Sequence, residues 1–171
     1  TKEIQVTFID RKSYYGGTPK QYVDKDVRSP KSVNVHPSQP KYYVNSLEGS
    51  KTVVYNIQTG EKLKVISHQF NDLHKDFWAP ESGFFKFNYK RSNQNTFAGK
   101  PVEGAFSHNG RYFWVPYYRR NYDLNAQDPS AMAVIDTEKD TIIRIFETGP
   151  LPKMVAVSAD QKKLAVSHWG N

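Results

Sequence analysis

Three prolines set the frame of this chain. Superposing Pro30, Pro101 and Pro152 brings PKSVNVHPSQPKYYVN, PVEGAFSHNGRYFWV and PKMVAVSADQKKLAV into line, with one extra residue placed in the first segment. Each segment reads as a short apolar strand, a polar turn (His36 to Pro40, Ser107 to Gly110, Ser158 to Gln161), one basic residue (Lys41, Arg111, Lys162) and a second strand. A further strand pair follows in two copies, KTVVYNIQTGEKLKVI at 51–66 and AMAVIDTEKDTIIRIF at 131–146. Each of these turns at an Asn or Asp. The opening IQVTFID fits the same third strand, with Asp10 matching Asn56 and Asp136. Helical periodicity is absent, so the repeating unit is a four-stranded antiparallel meander.

In chain order the expected organisation is strands three and four of one unit at 1–29 and a full unit with a long insertion at 30–99. A full unit with an inserted loop follows at 100–149, and the first two strands of a further unit at 150–171. That makes about twelve strands, three units' worth. Tandem four-stranded meanders are the blades of a β-propeller, in which each blade covers the apolar face of the next.

The stretches Tyr43-Val44-Asn45-Ser46, Thr52-Val53-Val54-Tyr55-Asn56 and Ala133-Val134-Ile135-Asp136-Thr137 resemble the YVTN-type, YncE-like propeller repeat of bacterial cell envelopes. The likeness spans roughly residues 30 to 171; the second copy departs from it with Phe113-Trp114-Val115-Pro116 and the third with Leu164-Ala165-Val166-Ser167. It implies an all-β propeller, an incomplete ring in this chain, and a place in the periplasm or at the cell surface. A closed propeller takes about four to eight blades. Three units therefore lead us to expect that the rest of the same propeller, or another chain, completes the ring.

The aligned prolines stand 71 and then 51 residues apart, whereas a bare blade needs about 40 to 45. The surplus falls at 67–99, after strand four, and at about 117–130, after strand two. Because a meander reverses at every turn, both insertions emerge at one end of the blades. Loops of this length on a rigid scaffold are where binding resides. The residues expected to form a binding face there are Trp78, Phe84, Phe85, Lys90, Arg91, Tyr117, Tyr118, Arg119, Arg120 and Tyr122, joined by His168 and Trp169 from the last unit. Within YFWVPYYRRNY (112–122), Tyr112 to Val115 read as a packed strand, and the loop is expected to begin after Pro116. Tyr, Trp and Arg are the usual anchors of protein interfaces, which makes a protein or a glycan the expected partner. The bland alternative is that Phe77, Trp78, Phe84 and Phe85 merely give the long loop its own small core.

Charge separates the remaining partner classes. The formal net charge is +7, which admits an anionic partner. Yet the insertion at 67–99 sets Lys75, Lys86, Lys90 and Arg91 against Asp72, Asp76 and Glu81, and 117–130 sets Arg119 and Arg120 against Asp123 and Asp128. A face so nearly neutral is a poor funnel for phosphates, so nucleic acid is not the expected partner. No window approaches the roughly 20 apolar residues of a membrane span. The chain has no cysteine, hence no disulfide framework and no thiolate metal site. Asp123-x-Asn125-x-x-Asp128 lacks the glycine and terminal glutamate of a calcium loop, and the histidines have no zinc-ligand spacing. Ser107 beside His108 reads as a turn pair, and no Gly-x-Ser-x-Gly occurs. No metal, no cofactor and no catalytic residue is assigned. The enzyme reading that the resemblance keeps open is a lactonase or a cofactor-dependent dehydrogenase subunit, with its reacting groups at the mouth of the central channel.

Overall fold

The computed structural model describes residues 24–79, 97–120 and 129–169, without the side chains of Asp72, Arg119 and Arg120. The strands expected within residues 1–23 lie outside this set. The described chain is all-β, with twelve strands and one 3-10 helix at Asp72–Phe77. The first blade is a plain meander of β1 (Pro30–Val35), β2 (Lys41–Ser46), β3 (Lys51–Asn56) and β4 (Lys62–Ser67), paired in that order. β-Branched residues at alternate positions hold its register. A row of valines, Val33, Val44, Val53 and Val65, crosses one face of the sheet from β1 to β4. Tyr43 and Val54 lie opposite one another on the other face.

The second blade has the same core with additions. Its innermost element is split into β6 (Phe97–Pro101) and β7 (Ala105–Ser107), both paired with β8 (Tyr112–Arg120); β9 (Ser130–Asp136) and β10 (Thr141–Thr148) follow outward. The connection from the first blade adds β5 (Gln69–Phe70) beside β6, then returns so that Trp78 bridges Ile145 at the outer edge of β10. The third unit contributes β11 (Pro152–Val157) and β12 (Leu164–His168).

Two sequence expectations change. β8 does not end at Val115: Pro101 pairs with Tyr117 and Gly99 with Arg120, so β6 supplies backbone partners that carry the strand through Arg120. Residues 97–99, expected within the insertion, belong to that pairing. The repeat also needs no extra residue. Val35 pairs with Tyr42, Phe106 with Phe113 and Val157 with Leu164, so all three turns have the same length and the prolines superpose without a gap. In that frame Lys41 matches Tyr112 and Lys163, and Arg111 matches Pro40 and Lys162.

The matching Asn and Asp do one job. Asn56 Oδ1 accepts the N–H groups of Gln58 and Thr59 at 2.8 and 3.0 Å, and Asp136 Oδ1 those of Glu138 and Lys139 at 2.9 and 3.2 Å. These Asx turns hold the backbone so that Gly60 and Asp140 can take positive φ, 71° and 50°.

The core is the seam between the first and second blades. Tyr43, Val54 and Ile66 of the first pack with Phe113, Val115, Ala133, Ile135 and Ile145 of the second. At one end of the seam Lys41 Nζ pairs with Asp140 at 2.9 Å and donates to the Thr137 carbonyl, while the Tyr43 hydroxyl donates to Asp140. His36 Nε2 reaches the Gly110 carbonyl at 3.0 Å.

Candidate binding site

At the opposite end of the seam, a buried polar chain carries the rim of the candidate face. Asn45 Nδ2 donates to the Val102 carbonyl at 2.7 Å, and Asn45 Oδ1 accepts from the Thr52 hydroxyl at 2.6 Å. Thr52 has then used its only proton, so it accepts from His68 Nε2–H at 2.7 Å, which leaves Nδ1 to accept from the Tyr117 hydroxyl at 2.8 Å. All four side chains are fully buried. Burial pushes the His68 pKa down to about 3, which keeps the ring neutral, and raises that of Tyr117 well above its usual value. The Tyr117 ring lies against Gly99, where a Cβ would come within 2.6 Å of it.

Tyr117 is therefore interior, held by strand pairing and by rings on three sides: His68, Phe70 and Phe97 at centroid distances of 5.1, 6.2 and 5.6 Å. Trp78 is interior too, edge-on to Phe97 at 5.8 Å, and Phe77 packs against the same cluster. For Phe77 and Trp78 the bland sequence reading describes the structure: they give the long connection its core. Phe84, Phe85, Lys90, Arg91 and Tyr122 lie outside the described residues, and Arg119 and Arg120 are placed by backbone only, at the end of β8.

Two of the remaining three expected residues meet. Tyr118 at the end of β8 meets Trp169, just past β12, edge-on at 6.1 Å. Lys153, next to Pro152 on β11, sets its ammonium 3.9 Å from the centre of the Trp169 ring, a close cation–π contact. Trp169 is nonetheless 65% exposed. His168 is half-buried against Gly149, and its Nε2 has no hydrogen-bond partner among the described residues. Sequence reasoning passed over Lys153. Strand register gave no signal for it, since the antiparallel pairing of Pro152 with His168 sets Trp169 opposite Leu151, whose carbonyl accepts the Trp169 N–H at 3.0 Å, and Lys153 reaches the ring only through its long side chain. Nearby, Lys100 of β6 and Glu48 of the β2–β3 turn form an ion pair at 2.9 Å, so this end of the blades carries little free charge from that pair.

The other polar features have ordinary occupations. His36 and His68 are buried in the seam, and His74 Nδ1 accepts the Asn71 N–H at 3.1 Å at the start of the 3-10 helix. Ser107 is buried and accepts from Trp114 Nε1 at 2.8 Å, and His108 contacts the same oxygen at 2.9 Å. Between the turns of the second and third units a shallow cleft of about 420 Å³ opens beside His108 and Lys162. In the repeat frame Ser107 occupies the position that the larger His36 holds in the first blade. Among the described residues no group of three His, Asp or Glu side chains could hold a metal ion. No helix among them is long and apolar enough to cross a membrane. The Asp123, Asn125 and Asp128 cluster lies outside the described residues.

No family model matches this chain, and no curated protein matches it. Solved structures do. Hydrazine synthase of Kuenenia stuttgartiensis superposes with a TM-score of 0.57 at 14% identity, over 89% of this chain and 32% of that one. A putative 6-phosphogluconolactonase from Bacteroides uniformis superposes with a TM-score of 0.53 at 14% identity, over 85% of this chain and 34% of that one. The chain thus spans about a third of the length of each. At such identity the likeness concerns architecture alone, and it agrees with the blades described above: the chain has the fold of a partial β-propeller.

Proposed function

We propose that this chain is a non-catalytic recognition module, built on a YVTN-like propeller of the bacterial cell envelope, that holds a protein partner at the end of the blades where β4, β8 and β12 end. The observation that carries the reading is Trp169, a large aromatic 65% exposed yet fixed between Tyr118 and Lys153. An exposed tryptophan held in one orientation loses little conformational freedom on binding, which is what an interface anchor requires. Arg119 and Arg120 follow Tyr118 directly in sequence and add the second residue type that anchors favour. The envelope assignment rests on the YVTN-like residues.

The test uses the immobilised chain against a bacterial envelope extract and, separately, a glycan array. Trp169→Ala is expected to lower protein capture about tenfold or more, since a central tryptophan anchor contributes on the order of 2 kcal/mol, with the β circular dichroism unchanged. Undiminished capture by Trp169→Ala removes the proposed anchor. Binding confined to the glycan array replaces the protein reading with a carbohydrate one. Alanine at Tyr117 is unsuited to this purpose, because it would report loss of the core.

A further inference from the structure

Trp169 is fixed by its backbone as well as by its ring. Its N–H donates to the Leu151 carbonyl at 3.0 Å, and Leu151 carries a positive φ of 45°, a conformation that a large side chain seldom takes. The first blade repeats this device, with the Leu47 N–H donating to the carbonyl of Ser29 at 3.1 Å and Ser29 at a φ of 55°. Because Tyr42, Phe113 and Leu164 are matched by their turns, Leu47, Tyr118 and Trp169 hold one position in three successive units. The tryptophan thus stands where the repeat itself places a large apolar side chain at this end of the blades.

Lys153 adds a charge that no carboxylate of the described residues answers. Among those residues Lys41, Lys51, Lys100, Arg111 and Lys153 are the buried or half-buried cations. The first four each have an acid: Asp140 at 2.9 Å, Asp26 at 2.8 Å, Glu48 at 2.9 Å, and Asp136. Lys153 has only the Trp169 ring, 3.9 Å from its ammonium. We propose that the partner's contact segment is acidic, an inference that rests on Trp169 being the anchor: an Asp or Glu carboxylate of the partner pairs with Lys153, while an apolar side chain beside it covers the open part of the Trp169 ring.

An ion pair at a surface gains little largely because two long side chains must be held in one geometry. Here Trp169 holds one of them beforehand, so pairing costs less freedom than it does for an unrestrained lysine. Charge placed beside an anchor also selects among partners, since a basic segment would meet the Lys153 ammonium with repulsion. A single ammonium is a point charge suited to one carboxylate. Nucleic-acid phosphates are instead gathered by several Lys and Arg together.

A random peptide library displayed on phage and selected on the immobilised chain supplies the probes. The selected peptides should carry more Asp and Glu than the unselected library, each with an apolar residue close by. Synthetic copies are then titrated against the native chain and three variants whose circular dichroism is unchanged. Lys153→Met keeps an aliphatic stem for the ring and removes the charge; it should weaken binding about fivefold, the upper range for an ion pair at a surface. It should also flatten the salt dependence of binding, and Lys153→Arg should restore both. Trp169→Ala should weaken binding further than Lys153→Met. Acid-poor peptides that still require Trp169 overturn this inference and leave the anchor standing, as does equal binding by Lys153→Met and the native chain. Binding indifferent to Trp169→Ala, or a selection that returns no Trp169-dependent peptide, overturns the anchor and this inference together.

Discussion

His68 Nδ1 accepts a hydrogen bond from the Tyr117 hydroxyl at 2.8 Å, and this single contact joins the polar chain that begins on the first blade to the longest strand of the second. Both residues are fully buried, so neither can exchange its partner for water. Replacing Tyr117 with phenylalanine keeps the ring against Gly99 but leaves Nδ1 unsatisfied. The expected cost is about 1 to 3 kcal/mol, the range for a buried acceptor deprived of its donor. A lowered urea midpoint with unchanged circular dichroism would register it. An unchanged midpoint would mean that the bond contributes nothing.

Acid should weaken the same seam. Burial holds the His68 pKa at about 3, below its ordinary 6.5. As pH falls, the unfolded chain takes up this proton first, so the stability His68 contributes is complete above about 6.5 and declines steadily toward 3. At pH 5 the loss amounts to about 2 kcal/mol. Burial also lowers His36 at the other end of the seam, which adds in the same direction. Urea midpoints measured between pH 7.5 and 5 should fall for the native sequence and fall less for His68→Gln. A midpoint constant over that interval contradicts the assignment.

What was legible in the sequence follows from what repeats. Strand identity and order are set by alternation and by turn chemistry at Asn56 and Asp136, and these are local properties that recur in each copy. Lys41 and Tyr43 meeting Asp140, or Thr52 meeting His68, are properties of one seam only. No periodicity announces them. The extension of β8 escaped notice for a related reason: Pro116 looks like a strand terminator, yet on β8 its missing N–H is harmless, because its carbonyl accepts the Val102 N–H at 3.2 Å and its neighbour Tyr117 pairs with Pro101. In the candidate site the sequence grouped Tyr118, His168 and Trp169 with one end of the blades from strand direction alone, and the structure shows Tyr118 against Trp169. It could not separate them from Trp78 and Tyr117, because aromatic anchors and aromatic core share one composition.

The ion pair at the far end of the seam offers the sharpest test of how the two blades are held. Lys41 and Asp140 lie 2.9 Å apart with side chains only 8% and 15% exposed, and Tyr43 donates to the same carboxylate. Asp140→Ala would strand the Lys41 ammonium beside the Thr137 carbonyl and leave the Tyr43 hydroxyl without an acceptor. Removing one member of a buried pair costs about 3 kcal/mol or more, because the surviving charge stays desolvated. Lys41→Met combined with Asp140→Ala removes both charges, so the double variant should recover part of that loss despite lacking two side chains. Thermal and urea unfolding of the two single variants and the double would measure the coupling. Strictly additive losses would show that Lys41 and Asp140 act separately, and that this pair does not couple the first blade to the second.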